Sequence, residues 1–155
     1  MRYQACVFES SHRWIPALRR FGDQVLPSES DRLAIETISM PLSSSAMSVS
    51  GSSAFILWEL PPNNVGLVLS EITKLQASDG ATLQFLAYSD QAGFTIEQRA
   101  SMDSALREIG ITMTLAGLTE LPLCLEMVKR HWIRHRPETR VTAAQEIWDQ
   151  LPWEE

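Results

Sequence analysis

Glu9, Glu59 and Ser89 stand at the ends of three short, apolar, β-rich runs, at 3–9, 54–60 and 82–88. Ser10 and Ser11 follow Glu9, and Pro61 and Pro62 close the run that holds Glu59. Carboxylates and hydroxyls collected at strand ends are oxygen donors of the kind a hard cation takes several of. They are also the polar groups that orient a small ligand in an apolar crevice. Two glutamates are a thin set for a cation, so no metal is expected here. His131 and His135 lie four residues apart, a spacing at which two imidazoles on one helix face can pinch a metal. No third ligand follows from the sequence, and the pair reads as solvated polar residues beside Arg130, Arg134 and Arg136. No G-x-G-x-x-G or P-loop segment is present, so no nucleotide cofactor is expected. The segment 9–13 places hydroxyls at a helix start, where an anion can sit. It has no glycine and it carries Glu9, so N-capping by Ser10 or Ser11 is the expected role.

The elements that must position these residues alternate in type. Strand-like runs fall at 3–9, 33–40, 54–60, 82–88 and 111–115. The run 54–60 (AFILWEL) is almost continuously apolar, as suits a central parallel strand covered on both faces. Between the runs lie apolar stripes at helical spacing. Trp14, Ala17, Leu18 and Phe21 form the first, and Val65, Val68, Leu69, Ile72 and Leu75 the second. Met102, Ala105, Leu106 and Ile109 form the third, and Leu121, Leu125, Val128 and Trp132 the fourth. Thr95 with Gln98 spells a capping box, Gly110 a C-terminal stop, and Thr119 a cap for the last large helix. The serine-rich segment 41–53 predicts a loop with one weak helical turn. Alternating strands and helices imply right-handed βαβ units and an α/β three-layer sandwich. The strand order expected is 2-1-3-4-5, the flavodoxin-like arrangement, with chemistry at the carboxyl ends of strands one, three and four.

The 155 residues suit one domain, at 1–136, followed by a helical tail at 137–155. Formal net charge is −6 and the pI about 5.1, which argues against a nucleic-acid partner. No apolar run reaches the roughly 18 residues of a membrane span. Cys6 and Cys124 sit in apolar stretches with no secretory signal before them, so reduced thiols and a cytoplasmic location are expected.

With this topology the chain resembles the receiver domain of bacterial response regulators over residues 3–136. In that family an acidic pair after strand one holds magnesium, and an aspartate ending strand three accepts the phosphoryl group. A Thr or Ser ends strand four, and a Lys followed by Pro ends strand five. Here Glu9-Ser10 keeps one carboxylate, Glu59 stands at the acceptor position, and Ser89 matches the hydroxyl. The segment 112–118 contains no lysine. Phosphoryl transfer needs charge gathered on the phosphate oxygens. The resemblance therefore implies a pseudo-receiver: a non-catalytic signal-transduction module acting through protein–protein interaction. The alternative is a ligand-binding protein or enzyme using the crevice of Glu9, Glu59 and Ser89. A crevice filled by Trp58 or Tyr88 would count against that alternative.

Two surfaces are candidates for a protein partner or a second copy of the chain. Five of the thirteen Lys and Arg residues fall at 129–140, among them Lys129, Arg130 and Arg134. The tail carries Ile147, Trp148, Leu151 and Trp153, large apolar groups that either fold back on the domain or dock on another chain.

Overall fold

A computed structural model describes residues 1–38, 53–61, 63, 65–89 and 93–136. The weak helical turn expected in 41–53 falls largely outside them. The tail at 137–155, with Trp148, Leu151 and Trp153, lies wholly outside them.

The chain runs β1 (Arg2–Phe8), α1 (Trp14–Phe21), β2 (Arg32–Thr37), β3 (Ala54–Leu60), α2 (Val65–Ser78), β4 (Leu83–Tyr88), α3 (Ile96–Glu108), β5 (Met113–Leu115) and α4 (Leu121–Arg134). The five strands form one sheet in the order β2-β1-β3-β4-β5, and every pairing is parallel. Helices cover both faces, so the α/β three-layer sandwich and the 2-1-3-4-5 order are as the patterning implies. No helix among the described residues is long and apolar enough to cross a membrane.

The reason β3 reads as an almost unbroken apolar run is that all seven of its residues are buried. Successive strand side chains point to opposite faces. Phe55 and Leu57 join Trp14, Leu18, Leu121, Cys124, Val128 and Trp132 in the core under α1 and α4. Ile56, Trp58 and Leu60 join Val68, Ile72 and Leu106 in the core under α2 and α3. The two-residue period therefore aims Glu59 at the side of the sheet that α1 covers. Trp132 is 1% exposed and stacks on Tyr3 with ring centroids 4.2 Å apart, a core role rather than a nucleic-acid platform.

Several element ends differ from the sequence expectation. β1 stops at Phe8, leaving Glu9 in the loop, and β2 stops at Thr37. β5 holds three residues rather than five and pairs with β4 alone. Thr119 does not cap α4. It lies in a short 3₁₀ turn, Leu118–Glu120, and α4 starts after Glu120 with Pro122 in its first turn, where a missing N–H costs least. The Thr95–Gln98 capping box is formed in both directions, and Gly110 follows the end of α3 with φ +114.

Candidate functional site

Glu59 sits next to the carboxyl end of β3, paired in register with Ala87 of β4, and its residue is completely buried. A carboxylate in that position must be neutralised or richly hydrogen-bonded. The loop between β1 and α1 supplies the donors. Ser10 donates its backbone N–H at 3.1 Å and its hydroxyl at 2.8 Å to Oε1. Ser11 donates its N–H to the same oxygen at 2.9 Å and its hydroxyl to Oε2 at 2.5 Å. The indole Nε1–H of Trp14 completes the set on Oε2 at 2.8 Å, with Trp14 itself fully buried. Five donors thus converge on two oxygens, whose lone pairs number about four.

Electrostatics follow from this cage. Burial alone pushes the Glu59 carboxyl up. The hydroxyls and N–H groups of Ser11 and Ser10 outweigh it, and the group titrates below its ordinary value. The charged form is the one this site is built around.

The expected N-caps are not caps. Arg13 occupies the N-cap position of α1 with no side-chain capping hydrogen bond, and both serines are turned toward Glu59 instead. Glu9 takes over the end of the helix, its Oε2 accepting the Trp14 N–H at 2.7 Å. The physical reason is demand: a buried carboxylate costs more unpaired than a half-exposed helix terminus does. His12 lies in the same loop with φ +57, a left-handed conformation that side chains other than glycine rarely adopt.

Of the residues expected at this crevice, Glu59 and Ser10 are in direct contact, and Glu9 is held to the loop's far end through Trp14. Ser89 is buried just past the end of β4, one strand along from Glu59. Trp58 and Tyr88 are also buried, but on the α2–α3 side. Trp58 Nε1 donates to Gln84 Oε1 at 3.0 Å, while the Tyr88 hydroxyl donates to Asp103 and packs beside Arg99. The group that fills the space beside Glu59 is Trp14. Sequence reasoning placed Trp14 in the core stripe and missed its second role. The available signal was Glu59 itself, an ionisable residue inside an apolar run.

His131 and His135 stack with centroids 4.1 Å apart. His131 Nε2 is 3.1 Å from the Ala81 carbonyl and His135 Nδ1 is 2.8 Å from the His131 carbonyl, so each ring has one nitrogen engaged with backbone. Among the described residues, no group of three or more His, Cys, Asp and Glu is placed to hold a metal ion. Burial, with the charge of His135, lowers the His131 pKa from its ordinary value.

The basic segment is partly engaged. Arg130 pairs with Glu126 at 3.0 Å, both exposed. Arg136 reaches Asp31 at 3.4 Å. Asp31, which nothing in the sequence singled out, is buried at the opposite end of the sheet and also binds the Met1 amine at 3.0 Å. Its contact with Arg136 spans 105 positions, a separation no local pattern reports. Lys129 and Arg134 are exposed.

No protein-family model, curated protein or solved structure matches the chain.

Proposed function

We propose that the chain is a non-catalytic regulatory module, a receiver-like domain whose acceptor position has become a structural clamp. What supports this is the state of Glu59. Its carboxylate is buried and occupied by five protein donors, one of them the indole N–H of the buried Trp14. No lysine stands on or beside β5 to stabilise an acyl phosphate. A small ligand held by the Glu59 carboxylate would have to displace donors that it already binds.

Recognition of a protein partner then falls to the outer surface. Leu123, Met127, Arg130 and Arg134 recur at i, i+4, i+7 and i+11 along α4 and form one exposed stripe, apolar at one end and basic at the other. Trp and Arg are favoured anchors in interfaces, which also keeps the tail's Trp148 and Trp153 as contacts for a partner or a second copy. Buried, reduced Cys6 and Cys124 suit a cytoplasmic setting.

The test is incubation with magnesium and acetyl phosphate, followed by intact mass. No phosphate adduct is expected. A stable adduct on Glu59 or on a neighbouring residue would sink the proposal.

A further inference from the structure

The loop between β1 and α1 does more than brace a strand end. Ser10 and Ser11 present two successive backbone N–H groups and two hydroxyls to one point, and Trp14 adds an indole N–H from the side. Successive main-chain N–H groups aimed inward make an anion-binding concavity. The α1 terminus is not part of it, because its first N–H is taken by Glu9. What occupies the concavity is the carboxylate of Glu59, delivered from a different element 45 to 49 positions away.

We infer that residues 10–14 form a receptor for a planar carboxylate, which carries Glu59 as its own built-in guest. The split of donors supports the planar class. Three converge on one oxygen and two on the other, and both oxygens belong to one carboxylate held between loop and indole. No lysine or arginine is among the donors, so recognition depends on hydrogen-bond geometry rather than on a formal positive charge. Such a receptor should accept a free carboxylate once its guest is cut away. The inference rests on Glu59 being a guest rather than a phosphoacceptor. The phosphodonor experiment on the unaltered chain tests that premise alone, and the experiment below tests the receptor alone.

Glu59→Ala removes a fragment about the size of acetate and leaves all five donors in place. Its thermal midpoint would be measured against sodium formate, sodium acetate and sodium phosphate, each compared with sodium chloride at equal ionic strength. The variant should melt below the wild type. Formate or acetate should then raise its midpoint with the logarithmic dependence of a single binding site, doubling the folded-to-unfolded ratio at a concentration equal to Kd. The wild type, whose receptor is full, should not respond. The triple variant S10A/S11A/E59A should not respond either. An E59A midpoint that follows ionic strength alone would overturn the inference, as would an equal response from the triple variant. A response to phosphate with none to either carboxylate would overturn the planar class. Should E59A fail to fold in chloride, recovery of folded protein on adding formate becomes the readout. The unaltered chain offers a second one: the Ser10 and Ser11 amide and Trp14 indole proton resonances should shift together in one acid titration. Separate midpoints for the three would overturn the inference.

Discussion

The indole of Trp14 and the carboxylate of Glu59 meet in the interior at 2.8 Å, an N–H donor on the first helix and an acceptor on the central strand. The contact ties α1 to β3 across the carboxyl end of the sheet. Trp14 also belongs to the core under α1 and α4, so one side chain both packs the helix and satisfies the buried charge.

Substitutions on this pair separate the two contributions. Glu59→Gln keeps the volume but places an amide N–H₂ against existing donors, and should cost about 3 kcal/mol of stability. Trp14→Phe keeps an aromatic ring and deletes one donor to a charged group, costing about 1.5–3 kcal/mol. The double variant should lose less than the sum, because both changes act on the same hydrogen bond. Urea denaturation of the four proteins reads all three quantities. Additive losses would mean that the hydrogen bond contributes nothing.

The acid limb of stability should have two parts. Glu59 titrates below its ordinary value of 4.5 and Asp31 below 3.8. For Asp31, burial pushes the carboxyl up, and the Met1 amine and Arg136 outweigh it. In both cases the unfolded chain takes up the proton first as pH falls. Their contribution is whole above the ordinary values and is lost as pH drops through the lowered ones. His131 titrates below its ordinary 6.5, so its share begins to fall away below that pH. Thermal midpoints from pH 8 to 3 should show a shallow decline below 6.5 and a steeper one below 4.5. His131→Gln should remove the first, and Glu59→Gln should reduce the second.

On the other face of the sheet, Gln84 joins Trp58 to α2. It accepts from the Trp58 indole at 3.0 Å and donates to the Ile72 carbonyl at 3.3 Å. Gln84→Met leaves the indole N–H buried without its acceptor and should destabilise by about 1–3 kcal/mol. Adding Trp58→Phe removes the orphaned donor, so the pair should again cost less than the sum of its parts. A denaturation cycle over these four proteins measures the coupling, and its absence would place the cost in lost packing alone.

Both thiols should be silent in the native protein. Burial pushes the Cys6 thiol up to about 12, aided by the charge of Glu36, and raises Cys124 as well. A thiol reagent at pH 8 finds little thiolate and no access. Labelling should follow the rate of unfolding, and both cysteines should react at once in denaturant. Rapid native labelling of either would contradict the described core.

The sequence alone determined the order of elements, because strand and helix leave different periods in apolar residues. The run 54–60 suits a strand covered on both faces, and the stripe ending at Trp132 suits a helix with one buried side. It also located the carboxyl end of β3 as a place to look, since the expected strand order puts chemistry at the ends of strands one, three and four. What it left undecided were the partners. Ser10 and Ser11 stand before a helix, and local chemistry assigns them to its cap. Only the packing of α1 against β3 brings a buried charge within their reach, and that charge outbids the helix end. Asp31 and Arg136 meet for the same kind of reason, across 105 positions. Periodicity is a property of neighbours in the chain, whereas the neutralisation of a buried charge depends on whichever donors the tertiary structure carries to it.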